Sequence, residues 1–196
     1  LRKIEEKTKK KENPKKKVFF VQRRHHQSDD SQNWDEPKFR YGLESSVSNR
    51  RSAGAEKMET TVSWRCVVER LLDELQARYQ SDGMIADEIM LAMSAVFDSR
   101  TVLESFNLVD RNSICRLLSS SGKILFQVLD QDDTAWLVLP KVNYCKCEFF
   151  ANEVVHGHFQ ICKHVLAVWL ASAVGRLHYR SIDDKTMTAM LNQLIE

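Results

Sequence analysis

The chain has 196 residues, with 29 Lys and Arg against 27 Asp and Glu, for a formal net charge of +2 at pH 7. That length suits one ordinary domain with a tail, or two very small domains. The longest apolar run near a terminus, "VFFV" from Val18 to Val21, is far too short for a secretory signal or a membrane span, so an intracellular protein with no membrane partner is expected.

The charge is unevenly placed. Residues 1–57 hold 16 Lys and Arg against 9 Asp and Glu, net +7, and residues 58–196 hold 13 against 18, net −5. The first part, opening "LRKIEEKTKKKENPKKK", sustains neither a helical nor a strand period and has few aliphatic residues to offset the entropy of ordering. It reads as a disordered basic tail whose lysine runs are ordinarily just solvated, and could otherwise serve nuclear import or phosphate binding. Because the chain opens on Leu1 and Met58 stands just before the first regular pattern, residues 1–57 also read as an extension outside the working protein.

From Thr61 a helical stripe begins: Trp64, Val67, Val68, Leu71, Leu72, Leu75 and Tyr79 recur at three- and four-residue steps. Asp82-Gly83 ends it, and a second helix is expected from Met84 to Phe97, with Met84, Met90 and Met93 as core filling. Cys66 falls off the first stripe and reads as a half-exposed thiol. A short helical turn over "TVLESFNLVD" completes a helical segment at 58–110.

Three short aliphatic runs follow, "SICRLL", "KILFQVL" and "AWLVL", separated by the turn-forming "SSSG" and "DQDDT". They predict a three-stranded antiparallel meander. The stretch "CKHVLAVWLASAV" is apolar around most of its circumference and predicts a buried helix to cover it. Meander and cover occupy 111–175. A last helix is expected within 176–196, started by Ser181 and Asp184 at capping-box spacing, with Met187, Leu191, Leu194 and Ile195 as its apolar face. The fold class is therefore α+β.

Five cysteines is an odd number, and three of them gather with histidines between Tyr144 and Trp169. That pattern favours metal binding over a disulfide framework. Cys145 and Cys147 sit two apart, as do Cys162 and His164, with 14 residues between the pairs. On an extended segment residues i and i+2 face the same way, so Cys145 and Cys147 can reach one metal. On a helix i and i+2 lie about 200° apart, so Cys162 and His164 converge only if the helix has not fully begun. Three thiolates and one imidazole make a closed set suited to one structural zinc per chain. His156 or His158 remains an alternative for one ligand; otherwise both are solvated loop residues.

The pattern C-x-C, a loop, then C-x-H followed at once by an apolar helix resembles the SWIM zinc finger, its positions filled by Cys145, Cys147, Cys162 and His164. Together with "VVERLLDELQ", "LVDRNSICRLLSSSGKILFQVL" and "CKHVLAVWLA", it makes residues 62–196 similar to the small SWIM-domain subunits of Shu complexes. That resemblance implies a nuclear accessory factor in homologous-recombination DNA repair. Such a subunit forms a heterodimer with a RecA-like recombinase paralogue and helps the recombinase filament assemble or persist on single-stranded DNA.

Lys141, Lys146 and Lys163 flank the finger and could reach phosphates, and Tyr144, Phe149, Phe150 and Phe159 could stack on bases. Aromatic residues beside a small zinc site more often close its core, and scattered lysines are ordinary surface. No H-E-x-x-H, deaminase signature or P-loop is present, and the Cys162–His164 pair is more simply used on zinc than as a nucleophile and base, so no enzyme is expected. A SWIM-domain nuclear adaptor outside recombination is the competing reading.

Overall fold

A computed structural model describes residues 64–195. The basic stretch at 1–57 and the helix start at Thr61 lie outside the described residues. Three helices come first: α1 (Trp64–Asp82), α2 (Asp87–Val96) and α3 (Ser99–Asp110). Of the stripe expected on α1, Val68, Leu72, Leu75 and Tyr79 are buried and Trp64 and Leu71 pack partly buried against them, whereas Val67, expected on the same face, is exposed at its edge. The second helix is shorter than its periodicity suggests, and Met84 lies ahead of it at 47% exposure, so only Met93 and the half-buried Met90 fill core. The expected short turn over "TVLESFNLVD" is a full third helix. The Asp98 side chain caps it, accepting from the Thr101 N–H at 3.0 Å, and the buried face runs through Val102, Phe106 and Val109.

The expected meander is present as β1 (Ile114–Ser119), β2 (Ile124–Leu129) and β3 (Ala135–Leu139), each antiparallel to the next. It forms part of a larger sheet. The two-residue β4 (Tyr144–Cys145) joins β3, and β5 (His178–Ile182) lies parallel to β1 on the opposite edge, giving the order β4-β3-β2-β1-β5. β5 escapes sequence reading because "HYRSI" has no apolar alternation: it is an edge strand whose first four residues are exposed. Residues 176–196 thus contribute a strand before their helix, and the sheet is mixed.

Strand alternation sorts side chains to two faces. Ile114, Phe126, Val128 and Val138 point to the main core shared with α1, α2, α3 and the buried helix α4 (Lys163–Ala173). Leu117, Leu125 and Leu137 point the other way, where α5 (Asp184–Asn192) covers them with Met187. The result is three layers, with four helices on one side of the sheet and one on the other. α5 starts differently from the expected capping box. Ser181 is in β5, paired with Leu118, and Asp183 is the cap, accepting from the Thr186 N–H at 2.8 Å. Asp184 instead reaches the β1–β2 turn, accepting from Ser120 Oγ at 2.8 Å and Ser121 Oγ at 2.6 Å. Ile195, expected on the apolar face, is 86% exposed. Among the described residues no helix is long and apolar enough to cross a membrane.

Candidate metal centre

Two places in the fold supply the donors. Cys145 closes β4 opposite Val138, and Cys147 follows in the turn beyond, with exposed Lys146 between them. Alternation thus turns both thiols inward and the lysine outward, as the C-x-C spacing requires. The other pair opens α4. Cys162 is its N-cap, with φ −94° and ψ 162°, an extended conformation, and His164 is in the first turn. The break between extended and helical backbone at Cys162 is what lets residues two apart face one point.

The donor atoms of Cys145, Cys147, Cys162 and His164 all lie within 4.8 Å of one another. All four side chains are buried: Cys162 is at 0%, Cys145 at 1%, His164 at 2% and Cys147 at 3% exposure. Zinc bonds of 2.0–2.3 Å in a tetrahedron place donors about 3.3–3.8 Å apart, and Cys145 Sγ stands 3.7 Å from His164 Nδ1. The donor set fits a structural zinc. The chain would hold it by three sulfurs and Nδ1, which leaves no coordination position for a substrate. His156 and His158 are not in the cluster. They are exposed, with His156 Nδ1 2.9 Å from the Asn152 carbonyl and His158 Nδ1 3.0 Å from Glu153 Oε2.

The three buried thiols perturb one another strongly. Hydrogen bonding to Cys147 and Cys162, followed by burial, pushes the Cys145 thiol far up, and burial foremost raises Cys162 to about 12. Cys147 is pulled well down, because Cys145 and Cys162 both hydrogen-bond to it and the Phe150 N–H donates to its Sγ at 3.3 Å. A divalent cation held by these residues would supply the field under which all three thiols ionise.

Around the donors the packing is specific. Trp136 lies 5.8 Å from the His164 ring, and Tyr144 meets Phe150 edge-on at 5.4 Å. Tyr144 Oη also donates to the Leu194 carbonyl at 2.8 Å, tying the finger to the segment after α5. Phe149 and Phe159 contact each other at 5.0 Å across the loop between the ligand pairs. The three flanking lysines differ in their surroundings. Lys163 Nζ sits 2.9 Å from Asp130 Oδ2 and 3.5 Å from Glu104 Oε2, Lys146 Nζ donates to the Gln193 carbonyl, and Lys141 is exposed.

One residue of the site is silent in the sequence. Asp130, at the end of β2, has Oδ2 3.1 Å from His164 Nε2, and its Oδ1 accepts from the Gln131 N–H at 2.7 Å. Burial pushes its carboxyl up, but hydrogen bonds from Lys163, Gln131 and His164, with the Lys163 charge, outweigh that and hold it at about 2. In the sequence it is one aspartate among three in "DQDDT", a segment fully explained as a turn.

No protein-family model and no solved structure matches the chain. Curated relatives do. Over 126 residues, 64% of the chain, it is 36% identical to Zinc finger SWIM domain-containing protein 7 of Homo sapiens, covering 89% of that protein. The Mus musculus protein of the same name is 32% identical over 126 residues, with 82% of it covered. That of Danio rerio is 33% identical over 128 residues, with 91% covered. With the Cys₃His cluster in place and relatives covered nearly end to end, the chain belongs to the zinc finger SWIM domain-containing protein 7 family.

Proposed function

We propose that this chain is a zinc-folded accessory subunit of homologous-recombination repair. It pairs with a RecA-like recombinase paralogue in the nucleus and promotes or stabilises recombinase assembly on single-stranded DNA. The observation that carries this reading is the buried Cys145, Cys147, Cys162 and His164 cluster in a chain of this family, with the role that its resemblance to Shu-complex subunits implies. A donor set that zinc would fill supports an assembly role with no catalytic step, and any ATP hydrolysis belongs to the partner. DNA contact is assigned to the complex: Lys163 and Lys146 are engaged within the chain, which supports a shared surface over a lysine clamp on the finger.

The test is co-expression of the full chain with a candidate RecA-like paralogue, followed by sizing chromatography and zinc analysis. One zinc per chain in a co-eluting heterodimer that retains single-stranded DNA is the expected result. Zinc-loaded chain that never co-elutes with any such ATPase overturns the recombination role and favours the nuclear adaptor.

A further inference from the structure

The contact between Asp130 and the finger joins residues from opposite sides of the sheet-to-helix corner. His164 is 3% exposed at its side chain and Asp130 is 13%, so water competes little for either partner. The Asp130 carboxylate is an acceptor only, which means that the hydrogen between Oδ2 and Nε2 belongs to the imidazole. A neutral imidazole carries one hydrogen, so its placement on Nε2 leaves the Nδ1 lone pair facing Cys145 Sγ, 3.7 Å away. The carboxylate is itself fixed, by the Gln131 N–H at 2.7 Å and by Lys163 Nζ at 2.9 Å from Oδ2 and 3.1 Å from Oδ1. Lys163 extends the chain of contacts to Glu104 on α3. Trp136, 5.8 Å from the imidazole, further limits how the ring can turn.

We infer that Asp130 is a positioning residue for the zinc ligand His164, holding its Nε2 hydrogen so that Nδ1 is the donor presented to the metal. Metal-bound histidines commonly donate their second N–H to a carboxylate, which fixes the tautomer and raises ligand basicity. Here that partner comes from a turn more than thirty positions before the ligand. The inference rests on the zinc site alone and holds whichever partner the chain binds.

The experiment is a double-mutant cycle in the full chain, reading zinc affinity by competition with a chromogenic chelator. Asp130→Asn keeps an oxygen for the Gln131 N–H but removes the charge, and should weaken zinc binding by about 10–100-fold. His164→Cys gives a four-sulfur site with no second N–H, and Asp130→Asn in that background should change nothing further. Lys163→Met removes one hold on the carboxylate but keeps its charge and its bond to His164, and should weaken zinc binding less than Asp130→Asn does; a loss as large as that of Asp130→Asn overturns the inference. Equal weakening in the histidine and cysteine backgrounds, or none in either, overturns the inference. Should His164→Cys fail to fold, imidazole ¹⁵N spectra of the zinc-loaded wild type decide. A hydrogen on Nε2 that exchanges faster in Asp130→Asn is the expected result, and metal on Nε2 with the hydrogen on Nδ1 is the contrary one.

Discussion

Replacing Cys162 by serine should unfold the corner that carries α4. The serine hydroxyl does not ionise at neutral pH and is a poor zinc donor, so the site falls to two sulfurs and one nitrogen. Structural zinc contributes about 10–16 kcal/mol in small fingers, and even a quarter share is about 2.5–4 kcal/mol. A hydroxyl left without a partner at a position with no solvent exposure adds about 1–3 kcal/mol, for a loss of roughly 4 kcal/mol or more. For a body of this size each kcal/mol moves the melting point by about 3–5 °C, so a fall of at least about 12 °C is expected. That loss is a large part of the 5–15 kcal/mol typical of a native domain. The assay is thermal melting by circular dichroism with zinc content measured on the same samples. Cys66→Ser, on the exposed side of α1 and outside the cluster, is the control and should melt like wild type. A Cys162→Ser protein that holds one zinc and melts with the control would refute the reasoning.

Leu166→Ala, at a fully buried position on α4, should cost about 2–5 kcal/mol in urea unfolding without altering zinc stoichiometry. Tyr144→Phe removes the bond to the Leu194 carbonyl and should lower stability by about 1 kcal/mol, with faster amide exchange near the C-terminus as its signature. The Asp184 carboxyl is held well below the usual carboxylate range by hydrogen bonds from Ser121 and Ser120. A depressed folded-state value means that its contribution is present above the unfolded carboxylate value near 4 and is lost as pH falls below it. Protection of the α5 amides, taken relative to their intrinsic exchange rates, should therefore fall on acidification from pH 5 to about 3, and Asp184→Ala should show the lower protection already at neutral pH.

Much of this arrangement is legible in the chain itself, for local reasons. The stripe from Trp64 to Tyr79 carries a helical period, and the three aliphatic runs from Ile114 to Leu139 are too short for helices and are bounded by turn chemistry. The ligand set was readable because C-x-C and C-x-H each demand a backbone state, extended in one case and a helix start in the other, and both are met. What stayed hidden is fixed by tertiary pairing. β5 has no strand period because its outer positions are exposed, and it exists only because β1 offers an edge. Asp183 displaces the expected cap because Ser181 is already held in that strand. Asp130 cannot be singled out from Asp132 and Asp133 by sequence, since the distinction is which of them the turn aims at His164.

The placement of the ligand pairs has a bearing on the order of folding. Joining Cys147 to Cys162 closes a loop of 14 intervening residues, at an entropy cost of about 2.4 kcal/mol beyond a constant. The parallel pairing of Cys115 with His178 spans far more chain and cannot form until α4 has carried the backbone across the sheet. Non-local pairings of this kind are slow, because closure must precede any reward. Zinc held by both ligand pairs would favour the shorter closure before β5 reaches β1. A chain without the metal would then leave the β1 edge open for longer, a template for aggregation, which would tie the yield of folded protein to metal supply.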